Sequence, residues 1–282
     1  ADQAAYSVTG AILFAPTFNA RTFFARESMK FSFMEESFAA PIVDSLTGQA
    51  WEACSAFLPS AAISTPGFRI EASDFNLFPE PEVVISPGFT AYNESILGAD
   101  ETLEIYFETD SGVITTDRGR VDSVGLTSTE ESYGQAVFTG IDPIIDADFV
   151  FVDNPDEAYI SIYYVEDVPV LLPGVVGLAH QTGDDWEIFV KETGDNQYDA
   201  NIFVHEVGHT LGLRHPNERP SSSLYDTSDT VMSYNPNSNG GYDTTYSPTD
   251  IAALVTIWGF ESDSSQEVAL DAAFDYLGVT PA

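Results

Sequence analysis

The sequence predicts an α+β fold, on three observations. Five short runs rich in branched and aromatic residues lie between positions 103 and 190, four stretches carry apolar residues at helical spacing, and Gly, Pro and Ser separate them. At 282 residues and 44% apolar composition the chain can bury a substantial core.

The elements follow in chain order. In the first ninety residues strand-like pieces at 29–34 and 68–71 are broken by Pro, Gly and Ser, and no chemistry stands out. Phe78-Pro79-Glu80-Pro81 and then Ser86-Pro87-Gly88 disfavour a continuous element. A boundary is therefore expected near residue 90. It leaves 1–92 as an N-terminal region of unassigned role (a prosegment or accessory domain), 93–262 as the main domain and 263–282 as a C-terminal helical tail.

Residues 103–108 alternate as a strand, and Ser128-Thr129-Glu130-Glu131 reads as a capping box opening a helix whose apolar face is Tyr133, Ala136, Val137 and Ile141. Strands are expected at 148–152, 158–165, 175–179 and 186–190. A helix over about 198–211 follows, with Phe203, Val207 and Leu211 four apart on its core-facing stripe. Ser247-Pro248-Thr249-Asp250 combines an N-cap serine, proline at the first helical position and an acid three residues after the cap. Ile251, Leu254, Val255 and Trp258 form that helix's buried face and Gly259 ends it. A last helix over about 265–277 uses Val268, Leu270, Phe274 and Leu277, and stops at Gly278.

Against 45 Asp and Glu stand nine Lys and Arg, a formal net charge of −36. That field opposes binding to nucleic acid or to an anionic membrane. The acids are scattered among plentiful aromatics, which argues for a solvated acidic surface on a folded body. Such a surface suits salty water, or the collection of calcium. No run of 18 apolar residues occurs, so no membrane insertion is expected. The start at Ala1-Asp2-Gln3, without an initiator Met or a basic-then-apolar segment, fits a processed or trimmed chain.

Three of the four histidines fall within eleven residues, in His205-Glu206-Val207-Gly208-His209-Thr210-Leu211-Gly212-Leu213-Arg214-His215. Positions four apart on a helix share a face, so His205 and His209 can reach one metal ion while Glu206, one step round, can touch a water on it. His215 lies six residues further and can join only if the chain turns. Gly212 stands where a helix-ending residue with positive φ would permit that turn. Three neutral imidazoles plus a water make the open tetrahedral site of a catalytic Zn²⁺, whereas a structural site is closed by four protein ligands. The remaining histidine, His180, reads as an ordinary surface or packing residue. Cys54, the sole cysteine, excludes an intramolecular disulfide and reads as a buried packing residue; no motif around it marks a thiol that caps the zinc.

The stretch from His205 to His215 resembles the HExxHxxGxxH motif of metzincin peptidases, and Thr230-Val231-Met232-Ser233-Tyr234 resembles their Met-turn. The Leu213-Arg214-His215-Pro216 ending, the Ser-Tyr after Met232, and Asp250-Ile251-Ala252-Ala253-Leu254 with Trp258-Gly259 are most similar to serralysin-type enzymes, over about 95–262. The resemblance implies a twisted, mostly parallel sheet with an antiparallel edge strand, an active-site helix, a Met-turn and a C-terminal helix. It implies His205, His209 and His215 as ligands, Glu206 as general base, Met232 as the floor beneath the metal, and Tyr234 as a switchable ligand that leaves to bind the oxyanion. The strand at 175–179 would be the edge on which a peptide pairs. The expected activity is that of a secreted, monomeric zinc endopeptidase acting on proteins or peptides. No glycine-aspartate repeat of the serralysin β-roll is present, which leaves Ca²⁺ open. The competing readings are a catalytically silent adhesion or binding module on the same fold, and a secreted calcium-scavenging or matrix protein.

Overall fold

The computed structural model describes residues 80–88, 91, 102–170, 174–183, 185–262 and 264–278; the pieces at 29–34 and 68–71 and Cys54 lie outside them. It is a mixed α and β architecture. Among the described residues, seven strands form one sheet: β1 (Thr102–Phe107), β2 (Gly112–Thr116), β3 (Gly119–Ser123), β4 (Asp148–Val152), β5 (Ile160–Val165), β6 (Gly177–Thr182) and β7 (Asp185–Lys191). Strands β7, β5, β1 and β4 lie side by side and parallel, and β6 pairs antiparallel with β7 as an edge. The hairpin β2–β3 joins through one residue pair, Ser123 with Val165.

Register explains how β4 and β5 run parallel on either side of β1 with so short a link. Val152 at the end of β4 is level with Tyr106, while Ile160 at the start of β5 is level with Ile105. The chain therefore passes from one side of β1 to the other with almost no travel back along it. All six residues of β5 are buried, as expected of a strand covered on both faces.

Among the described residues, four complete α-helices follow the expected order: α1 (Ser128–Ile141), α2 (Asn196–Thr210), α3 (Pro248–Trp258) and α4 (Gln266–Leu277). On one face of the sheet Phe138, Ile141, Phe203, Val207 and Leu254 pack against Ile105, Ile160, Ile162 and Ile188. On the other face Val121, Tyr163, Val165, Val168 and Phe189 form a smaller cluster.

Several expectations need correction. The capping box of α1 is Thr127 with Glu130, one residue earlier than the sequence suggested: the Thr127 hydroxyl accepts from Glu130 N–H and the Glu130 carboxylate accepts from Thr127 N–H. The buried face is accordingly Gly134, Val137, Phe138 and Ile141, with Ala136 exposed. Helix α2 begins two residues early because Asp195 caps it. Helix α4 docks by the small residues Ala269 and Ala273 together with the expected Leu277, with Tyr276 set against Gly140, while Val268 is 55% exposed. Hairpin β2–β3 had no expected strands, since its exposed positions mix Val113 with Thr115, Arg120 and Asp122.

Two expected boundaries also shift. Val84 is fully buried in the main cluster, and Ile85 bridges to Leu213, so residues 81–86 pack as part of the main body. Ala273 lies in the same cluster, so α4 is no separate tail.

Candidate metal centre

Helix α2 carries the first part of the site. Asp195 caps it by accepting from Gln197 and Tyr198 N–H, and its last two turns are almost wholly buried. It ends as the glycine predicted. Gly212 has φ +99°, its N–H donates to the His209 carbonyl, and Leu213 N–H reaches back to Gly208. That pairing is a Schellman stop, which an L side chain at position 212 would strain. The chain then doubles back, and His215 arrives beside His205.

The three imidazoles converge. His205 Nε2 and His215 Nε2 are 3.2 Å apart, and one ring nitrogen from each of His205, His209 and His215 lies within 4.8 Å of the others. Tetrahedral bonds of about 2.0–2.1 Å to zinc place ligand nitrogens about 3.3–3.4 Å apart, so the closest pair already fits such an ion. The tautomers fit too. His205 Nδ1 lies 2.8 Å from the Val231 carbonyl and His209 Nδ1 2.9 Å from that of Leu213. A carbonyl only accepts, so both Nδ1 atoms carry the proton and both Nε2 lone pairs face the centre. Burial depresses all three pKa values, with neighbouring imidazoles adding to the effect at His205 and His215: His205 to about 3, His209 to about 4 and His215 to about 2. The trio is neutral at pH 7, the form that ligates.

Glu206 is 7% exposed and turns toward the edge strand β6, where the Ala179 backbone hydrogen-bonds to its carboxylate. Burial raises its pKa to about 8, against the opposing effect of that hydrogen bond.

Met232 is fully buried beneath the helix, and a β-carbon on Gly208 would stand 2.8 Å from its sulfur. The glycine between the two helical histidines is thus what admits Met232 so close beneath the helix. Tyr234, 48% exposed, stands at the rim with its ring 5.4 Å from that of His205 and 4.9 Å from that of His215. All six residues singled out in the sequence come together here. His180 does not: it pairs with Glu187 across β6 and β7, on the sheet face opposite to α2.

One functional residue escaped the sequence reading. Asp250, read as the acid of a helix cap and as the start of a serralysin-like segment but given no part in the site, is fully buried and accepts from Val231 N–H, Ser247 N–H and the Thr230 hydroxyl. It ties α3 to the turn that carries Met232, and Val231 in turn holds His205. Trp258 Nε1 adds a second tie, donating to Leu211 O at the end of α2. An aspartate leading an otherwise apolar helix was the available signal. Among the described residues, the three histidines are the group arranged to hold a metal ion.

No protein family model matches the chain. No curated protein matches it. One solved structure that is similar to it is a chain from the GM1-bound form of the ECX AB5 holotoxin, 15% identical, covering 64% of this chain and 90% of that one with a TM-score of 0.36, too low to carry an argument.

Proposed function

We propose that this chain is a zinc-dependent endopeptidase of the metzincin type, similar to serralysins, acting outside the cell on proteins or peptides. The observation that carries the reading is the convergence of three neutral imidazoles, two with their Nε2 lone pairs turned inward by carbonyl partners, beside a buried carboxylate. The parallel sheet with its antiparallel edge strand supports the same family.

His205, His209 and His215 would hold the ion, with Met232 beneath them. A zinc ion there would supply Lewis acidity, which brings the pKa of water down to about 7 and favours the ionised form of Glu206. Glu206 takes a proton from the attacking water and delivers it to the leaving amine, a task that needs one carboxylate near both groups. Tyr234, at the rim, donates its hydroxyl to the negative charge that develops on the scissile carbonyl oxygen. The outer edge of β6 aligns the peptide by strand pairing.

The test combines metal analysis of the purified protein with casein hydrolysis, with and without phenanthroline. One zinc per chain and chelator-sensitive cleavage are expected. Glu206→Gln should keep the metal and lose about 10²- to 10⁴-fold in turnover, the usual worth of general acid–base assistance. A metal-free protein would overturn the site, and a zinc-loaded protein that cleaves nothing would leave the silent binding module in its place.

A further inference from the structure

Gly177 opens β6 where that strand passes over α2. A β-carbon built on it would overlap Glu206 Oε1, and would stand 2.6 Å from Ile202 Cγ2 and 2.9 Å from Glu206 Cδ. Neither neighbour can retreat cheaply, since Ile202 and Glu206 are both buried in a close-packed interior. Gly177 is not among the glycines with positive φ. Any residue could adopt its backbone, so room is the reason for a glycine here. Two positions on, and therefore on the same side of the strand, Ala179 hydrogen-bonds to the same carboxylate through its backbone.

We infer that Gly177 is a positioning residue: its missing side chain lets the backbone of β6 seat the Glu206 carboxylate against the strand. The inference rests on reading Glu206 as the general base. On that reading a single strand does two jobs. Its outer edge aligns the peptide, while its face toward α2 aims the group that moves the proton. The base is then set by the same backbone that sets the substrate, which keeps their relative position independent of flexible side chains. A displacement of about 1 Å at such a group is enough to cost about 10²-fold in rate.

The experiment uses the full-length, zinc-loaded protein and the variants Gly177→Ala, Glu206→Ala and the double substitution. Gly177→Ala should retain one zinc per chain with unchanged competition against a chelator. Its kcat should fall about 10- to 100-fold with KM within about threefold, because the loss lies in the proton-transfer step and not in binding. A thermal-stability cycle provides a readout that needs no peptidase activity. Overpacking should lower Tm by about 3–10 °C for Gly177→Ala alone, and by less when Glu206 is already alanine, where only the contact with Ile202 remains. Should Gly177→Ala fail to fold, recovery of a folded double variant supports the seat. An equal Tm loss in both backgrounds, a double variant that also fails to fold, or a Gly177→Ala enzyme with normal kcat would overturn it. If the wild-type protein cleaves nothing, the peptidase reading fails while the stability cycle still decides whether the carboxylate fills the space above Gly177.

Discussion

Asp250→Ala should destabilise the metal-free protein by about 3 kcal/mol and weaken zinc binding as well, although the residue touches no ligand. Its buried carboxylate accepts from Val231 N–H at 3.0 Å and Ser247 N–H at 2.9 Å, and also from the Thr230 hydroxyl. Alanine leaves two buried backbone donors without their acceptor, at about 1–3 kcal/mol each. Burial raises the pKa of the Asp250 carboxyl despite these bonds, so removing it returns part of the loss and brings the net to about 3 kcal/mol. For a body of this size that corresponds to a Tm lower by about 6–12 °C. Asp250→Asn keeps the shape and one acceptor oxygen, and should cost about 1 kcal/mol. Because Val231 then holds His205 less firmly, zinc affinity should drop about 10- to 100-fold, as is typical when a ligand's orienting partner is lost. Urea unfolding of metal-free protein measures the first effect, and competition with a chromophoric chelator the second. Wild-type midpoint and affinity in Asp250→Ala would refute the chain of contacts from α3 to His205.

Three further expectations bear on the site and the surface. Tyr234→Phe should bind zinc normally, keep its Michaelis constant and turn over at least about tenfold more slowly, a floor under the usual worth of one oxyanion donor; wild-type kcat in the fully metallated variant would remove the tyrosine from the mechanism. In the metal-free protein the imidazole pKa values are depressed in the folded state, so the unfolded chain binds more protons as pH falls below about 6.5, and stability present above that pH is lost on acidification. Deleting one such group with His215→Asn should flatten the slope between pH 6 and 5 by about 1.4 kcal/mol per pH unit, and an unchanged slope in equilibrium unfolding would contradict the burial. With a net charge of −36, raising salt toward 1 M, where the Debye length is about 3 Å, should raise Tm; a steady fall from dilute buffer would count against self-repulsion as a stability term.

Most of the site was legible because its chemistry is local in sequence. The His205 to His215 spacing depends only on helix geometry and one glycine, and Gly212 adopts the positive φ that the turn requires. Strand β4 falls at its expected limits, its branched and aromatic run being bounded on both sides. What escaped depends on contacts distant in sequence. Asp250 and Thr230 are twenty residues apart, and Gly177 and Glu206 twenty-nine, so neither pairing leaves a local pattern. The α1 cap slipped by one because Thr127 and Ser128 can each serve, and only the φ and ψ of Thr127 decide between them. In α4 periodicity found Leu277, which packs on the core, but chose the exposed Val268 over the buried Ala269 and Ala273.

The pairing of residues 84–86 with the loop after α2 carries a thermodynamic consequence. Arg214 N–H donates to the Val84 carbonyl at 2.7 Å and Ser86 N–H to that of Gly212 at 3.0 Å, which clamps the chain just ahead of His215 from both sides. Whatever holds His215 in place therefore also holds this upstream segment, and linkage makes the effect mutual. Metal added to the apo protein should shield the peptide bonds around Ser86 from added proteases. In the opposite direction, a nick just downstream of Ser86 would convert the clamp from an intramolecular contact into one that can dissociate, releasing metal as it goes. Any cut that trims the start of this chain while preserving a tight centre has to fall before Pro81.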